Sequence, residues 1–436
     1  DQHERKNATQ QAEINTLKSR VSALEAEDKK KIGWLDGMEE ELEWHKAELE
    51  KRPKIERKVY KILTLGMKAI KEIDRDELLA VVEPGVILAD FHAAVEAEGL
   101  FYPPDPNSLQ ICALGGNLAE NAGGPRAFKY GVTREYVLGV EVALMNGAHI
   151  RAGRRTAKGV TGYDITGLLV GSEGTLGVFT EATLQLIPKP ASVVTLLGLF
   201  EGAKDAGRAV SAMIAAGLVP RCLEFMDPSA LSAVRARGVS VDERAGAMLL
   251  IELDGEPATT EPAMERIGEA CVAANAIDVL AAQDAAQQGR LWAARRALSP
   301  ATRAMARYKI SEDVVVPRMC LPELLDEIER ISEETSIRML SYGHAGDGNL
   351  HVNFLWDDPE ASVRVERGLD KLFRAVVRMR GTLSGEHGIG TSKAEYLPLE
   401  QSAELIALQR EIKRVFDPKN LLNPHKIFPR RGHGGC

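Results

Sequence analysis

The segment RMLSYGHAGDGNLHVNFLW (residues 338–356) leaves the chain few conformational choices. Two apolar, strand-like runs flank a turn rich in Gly, Asp and Asn, and an Asp-Gly pair is a strong signal for a two-residue hairpin loop. With Asp347 and Gly348 as the loop, residue 346 pairs with 349, 345 with 350, and His344 with His351. Directly opposed residues carry their Cβ atoms about 4.5–5.5 Å apart on one sheet face. Two imidazoles placed so converge on one divalent ion, and imidazole suits Zn and neighbouring transition metals. Asp347 and Asn349 would hold the turn or lie near a bound group. The alternative is a plain hairpin with two histidines at its base.

A third donor is available in SGEHGIG, where Glu386 and His387 stand among glycines. Glycine lets backbone approach a ligand closely. A Glu completing a His–His–carboxylate set leaves a coordination position open, and His387 would remain free as a base, because histidine titrates near neutral pH. An exposed polar turn is the alternative. Cations cluster in LWAARRALS, where Arg295, Arg296 and Ser299 share one helix, with Arg295 and Ser299 at i, i+4 on one face. Lys309 follows on YKISEDVVVP. An arginine grips a carboxylate through two N–H groups; the competing reading is a solvated helix face. Residues 103–181 hold PPDPNS, GGNLAENAGG and GSEGTLGV, with Gly171, Gly174 and Gly177 three apart. The dinucleotide G-x-G-x-x-G pattern is absent. Loops of this kind either cradle a pyrophosphate with backbone N–H groups or are tight turns in a β-rich domain.

Composition sets the class. The 436 residues suffice for roughly two or three domains, and 44% hydrophobic content supports sizeable cores. A net charge of −8 argues against a nucleic-acid binder. Cys112, Cys222, Cys271, Cys320 and Cys436 form no CxxC pair, which points to a reducing, cytoplasmic compartment. No apolar run reaches the ~18–20 residues of a membrane span, so attachment at the inner membrane would be peripheral.

Residues 1–61 differ in texture. Ile14, Val21, Leu35, Leu42 and Leu49 fall on one heptad position, and Leu17, Leu24 and Met38 on the other. This is a coiled-coil-like pattern that pairs with a partner helix or with a second copy through residues 14–49. Asp28, Lys31 and His45 interrupt it, Gly33 and Gly37 weaken it, and Pro53 stops it. A frayed, solvated helix is the alternative. From ILTLGM onward, short strands and glycine-rich turns run to Lys189–Pro190. Strands and helices then alternate, giving an α+β layer of helices on an antiparallel sheet.

Together VVEPGV, PPDPNS, GGNLAENAGG, YGVTREYVLGVEV, GSEGTLGV, LEFMD, LWAARRA, HAGDGNLH, SGEHGIG and FDPKNLLNPHKI resemble, in order, the FAD-linked oxidase family that includes glycolate oxidase FAD subunits, D-lactate dehydrogenases and D-2-hydroxyglutarate dehydrogenases. The resemblance implies a vanillyl-alcohol-oxidase-type α+β fold. Its parts would be a coiled-coil-like segment (1–61), an FAD-binding lobe (62–190), a substrate and metal domain with an antiparallel sheet (191–395), and a C-terminal segment (396–436) returning to the FAD domain. It implies FAD held by Pro104, Asp105, Ser108, Gly115, Gly116, Asn117, Asn121, Gly123, Gly124, Gly171, Glu173, Gly174, Gly177, Val178 and Asn423. It implies a divalent metal (Zn, Mn or Fe) on His344, His351 and Glu386, His387 as catalytic base, and Arg295, Ser299 and Lys309 on the substrate carboxylate. The implied reaction oxidises a D-2-hydroxy acid, glycolate or D-lactate, to the 2-oxo acid with hydride transfer to flavin N5. Electrons would pass to an iron–sulfur subunit, an electron-transferring flavoprotein or quinone.

The family pattern also has an earlier lobe with a glycine-rich R-G-x-G-T-like loop, and nothing in residues 1–61 matches it. The expectation is therefore an FAD domain with its N-terminal lobe missing, or supplied by another chain. A second functional reading follows: a catalytically impaired flavin-domain subunit that serves assembly through its coiled coil.

Overall fold

The strand-like runs sort into two antiparallel sheets within residues 66–429, which the computed structural model describes. The heptad-patterned segment 1–61 and most of ILTLGM lie outside the described residues. In chain order the first strands are β1 (Ile70–Asp74), β2 (Leu79–Val82), the short β3 (Leu100–Phe101), β4 (Val137–Ala143), β5 (His149–Gly153), β6 (Val178–Gln185) and the short β7 (Ile187–Pro188). A five-stranded sheet runs β1-β2-β6-β4-β5, and β3 pairs with β7. Val82, Val142 and Leu184 of this sheet share a core with Leu88 and Phe91 of the helix Leu88–Ala97. The C-terminal helix Ala403–Phe416 packs on the same core through Ile412 and Phe416.

The second sheet comprises β8 (Ser192–Phe200), β9 (Cys222–Met226), β10 (Ala247–Gly255), β11 (Asp278–Ala281), β12 (Tyr308–Val315), β13 (Arg338–His344) and β14 (Asn349–Trp356). Its order is β11-β8-β10-β9-β13-β14-β12. The sequence predicts one layer of helices on this sheet; the structure has one on each face. Along β8, Leu196 and Phe200 join a core with helices Ala203–Ala215, Pro257–Ala273, Leu321–Thr335 and Ser362–Arg378. Leu197 and Leu199, pointing the other way, join helices Pro228–Ala236 and Ala285–Arg303. A sheet covered on both faces needs near-continuous apolar strands, which is why AMLLIEL of β10 shows no polar alternation and is buried throughout. Asp227 and Asp284 start the two helices of the second face, their carboxylates accepting from the N–H of Ala230 and Gln287 at 2.7 Å.

Adjacent strands β9, β13, β14 and β12 thus bring together residues from LEFMD, HAGDGNLH and SEDVVVP. Phe354 on β14 anchors this region, fully buried against the helix Ser362–Arg378 where Gly368 allows close approach. Phe354→Ala is expected to lower unfolding free energy by about 3–5 kcal/mol, read as an earlier urea midpoint with unchanged slope.

Candidate active site

The hairpin between β13 and β14 corrects the expected register. Its loop is four residues, 345–348, so His344 pairs with Asn349, and His351 pairs with Tyr342. The two histidines are therefore diagonal neighbours and not directly opposed. A shift of two residues keeps both on one face, because side chains alternate with period two. Their rings stand edge to face with centroids 5.4 Å apart. Asp347 holds the turn by accepting from the Asn349 N–H at 3.3 Å.

Glu386 Oε1 lies 3.6 Å from His344 Nε2 and 3.5 Å from His351 Nε2. These separations are long for hydrogen bonds, which cluster near ~2.9 Å. Two donors each ~2.1 Å from one tetrahedral ion would stand about 3.4 Å apart, so the spacing suits a shared ion. The donor atoms of His344, His351 and Glu386 all lie within 4.8 Å of one another. His344 Nε2, His351 Nδ1 and Glu386 Oε2 are buried without a hydrogen-bond partner among the described residues. Burial pushes His351 down to about 3, so its neutral, ligating form prevails. The residues fit a divalent cation.

His387 stacks on His351 with ring centroids 5.2 Å apart, its side chain 50% exposed. Its Nε2 is 3.9 Å from Glu386 Oε1. The loop carrying Glu386 and His387 is pinned by Asp313 of β12. Asp313 Oδ2 accepts from Ser384 Oγ at 2.9 Å and from the backbone N–H groups of Gly385, Glu386 and His387 at 2.8, 2.8 and 2.9 Å. Its Oδ1 accepts from Asn349 Nδ2 at 2.5 Å. Burial alone would raise this carboxyl, but His387, His351, Lys393 and the Glu386 N–H outweigh burial and hold it well below the usual carboxylate range.

The three residues expected on the substrate carboxylate have different neighbours within the protein. Arg295 is buried and donates from Nε to Glu224, with its guanidinium 5.2 Å from the centre of the Tyr342 ring. Ser299 is exposed. The hydroxyl at Lys309 Nζ is that of the buried Thr302, at 2.7 Å. Thr302 lies seven residues, two helical turns, beyond Arg295; the i, i+4 spacing led to Ser299 instead. Burial, reinforced by Arg303, lowers Lys309 to about 8.

The glycine-rich residues gather around the helix Leu114–Glu120 and the loop before β6. Gly115 packs on Pro84, Gly116 faces open space, and Asn117 is buried with Nδ2 unpartnered among the described residues. Asn121 ends that helix in the left-handed region. Gly124 is required where it stands: its φ is +134°, and a Cβ would lie 2.5 Å from the Asp105 carbonyl oxygen. Burial pushes Asp105 up to about 6 against the pull of Arg126. Pro104 is hydrogen-bonded through its carbonyl to His92, and Ser108 is exposed. Gly171, Gly174 and Gly177 lie in the loop that enters β6 at Val178. The open face at Gly116 and the unpartnered amide of Asn117 fit a bound cofactor.

Glu173 makes a set of contacts within the protein. Its carboxylate accepts from the N–H groups of Ile389 and Gly390 at 2.7 Å, and its own carbonyl from Asn423 Nδ2 at 2.6 Å. It braces the SGEHGIG loop. Gly123 also meets that loop, since a Cβ there would stand 3.1 Å from Glu386 Oε2. Sequence reasoning missed Asp313 and Glu224. Each sits directly across from a histidine, Asp313 from His351 and Glu224 from His344. The available signal was an acid inside an otherwise apolar strand, as in CLEFM.

Residues 189–427 match the C-terminal domain of FAD linked oxidases, and residues 57–153 match an FAD binding domain. The chain is 44% identical over 375 residues to glycolate oxidase subunit GlcD of Bacillus subtilis (strain 168), covering 85% of this chain and 79% of that protein. It is 37% identical over 372 residues to D-lactate dehydrogenase of Anaerostipes hadrus, covering 83% and 78%. Among solved structures, 4-ethylphenol oxidase from Gulosibacter chungangensis superposes with a TM-score of 0.67 at 19% identity, over 84% of this chain and 79% of that one. That likeness shows the fold.

Asp313→Ala strands three backbone N–H groups, each costing about 1–3 kcal/mol when buried and unpaired. The variant is expected to unfold at markedly lower urea concentration and to release the 384–387 loop, seen as new proteolytic cleavage there.

Proposed function

Because the chain belongs to the FAD-linked oxidases, we propose that it oxidises a D-2-hydroxy acid, glycolate or D-lactate, to the 2-oxo acid with the help of a divalent metal. It is an FAD-linked oxidoreductase of vanillyl-alcohol-oxidase-type fold. The observation that carries the substrate reading is the two-histidine, one-glutamate set with 3.5 and 3.6 Å spacing, standing beside His387 and Arg295-bound Glu224. Relatives named glycolate oxidase subunit and D-lactate dehydrogenase support it.

His344, His351 and Glu386 would hold Zn, Mn or Fe, and the loops at Asn117 and Gly124 would hold FAD. When bound, the flavin supplies a hydride acceptor and the metal a Lewis acid for the substrate oxygens. Arg295 and Lys309 pair with the substrate carboxylate as charge-assisted donors. His387, half exposed and stacked on His351, receives the hydroxyl proton. Its exposure gives that proton a route to solvent. Electrons leave to a protein partner, an iron–sulfur subunit or electron-transferring flavoprotein, or to quinone. Free thiols at Cys112, Cys222, Cys271 and Cys320 accord with a cytoplasmic setting. Among the described residues, no helix is long and apolar enough to cross a membrane.

Protein carrying FAD is expected to be yellow and to bleach anaerobically on adding glycolate or D-lactate. Colourless protein that FAD does not reconstitute, or a flavin that neither acid reduces, would overturn this reading. A pH profile tests the carboxylate contact. Below about 8 Lys309 is cationic and pairs with the substrate; above it the amine is neutral. Accordingly kcat/KM for flavin reduction falls as pH rises through that value, and Lys309→Arg removes this limb of the profile.

A further inference from the structure

Glu224 is fully buried, the one acid on β9. Its Oε1 accepts from His344 Nδ1 and its Oε2 from Arg295 Nε. Side-chain exposures are 0% for Glu224, 3% for His344 and 4% for Arg295, so solvent does not compete for either contact. A neutral imidazole has one N–H, and whichever acceptor takes it decides which nitrogen keeps a lone pair. With Nδ1–H on Glu224, the lone pair of His344 is on Nε2, the atom facing Glu386. His351 has no such partner: its Nδ1 is buried and unpartnered among the described residues. The second contact leaves Arg295 with a buried, unpartnered Nη2.

We propose that Glu224 is the positioning residue of the site, locking the ring of His344 with Nε2 toward the metal while holding Arg295 ready for an anion. This rests on the metal reading above. The competing role for Glu224 is to neutralise a buried arginine and nothing more. Carboxylates behind metal-bound histidines raise metal affinity about 10–100-fold. Neutralisation alone would contribute nothing once the arginine is removed.

The test is Zn²⁺ affinity of the metal-stripped full chain, measured by competition with a chromophoric chelator, with thermal melts as a check on folding. Glu224→Gln is expected to bind Zn²⁺ about 10–100-fold more weakly than wild type. That variant buries an arginine without its partner and is prone to unfold. The double variant E224Q/R295M buries no unpaired charge and carries the decision. It is expected to melt as a folded protein and to show the same weakened Zn²⁺ binding. A folded double variant that binds Zn²⁺ as tightly as wild type overturns the positioning role alone. A wild type that binds no Zn²⁺ overturns the metal reading and this inference with it.

Discussion

One carboxylate organises the site. Asp313 stands on β12 inside the sheet and gathers the N–H groups of three consecutive residues, Gly385, Glu386 and His387, onto a single oxygen. A loop of glycines has little intrinsic shape, and ordering it is entropically costly. The buried anion offsets that cost, because its charge is compensated where the loop must sit. Glu386, its side chain close against Gly123, is thereby aimed at the two histidines. Lys393 closes the arrangement, donating to the carbonyls of Asp313 and Leu383 at 3.0 and 2.7 Å.

The seven-stranded sheet also meets the glycine-rich half of the fold across polar and cation–ring contacts. Asp254 at the end of β10 accepts from Lys129 and from Tyr130 Oη, the latter at 2.8 Å, and Arg126 and Arg221 stand over the ring of Phe101 at 4.9 and 5.4 Å. Glu173 and Gly123 touch the SGEHGIG loop from the glycine-rich side. The glycine-rich loops and the cluster of His344, His351 and Glu386 therefore share walls.

Much of this was legible in the sequence, and the shortfalls have physical causes. The apolar, strand-like runs located β8, β10, β12, β13 and β14, and the convergence of His344 and His351 followed from the turn residues. The loop length did not, since Ala345 and Gly346 accept turn geometry as readily as Asp347 and Gly348. Parity rescued the inference: four loop residues and two leave the histidines on the same face. Ser299 was chosen by helical spacing and by the family resemblance, but the strand carrying Lys309 meets the helix two turns from Arg295, a fact of tertiary packing. In sequence, Glu224 looks like an isolated acid in an apolar strand, and Asp313 like the second of an acidic pair with Glu312. Only strand order shows that each faces a histidine. The helices on the second face were unreadable for a related reason, since a continuous apolar run says a strand is buried but not by what.

The bond between Glu173 and the SGEHGIG loop spans 216 residues of chain. Contacts that distant are made late, because loop closure must be completed before they contribute. The hairpin of β13 and β14 forms locally and presents two histidines early, while Glu386 reaches them only after the glycine-rich segment and the second sheet have docked. On this ordering a partly folded chain brings together only two of the three residues. The cluster of His344, His351 and Glu386 is therefore a property of the completed fold, not of any one segment of the chain.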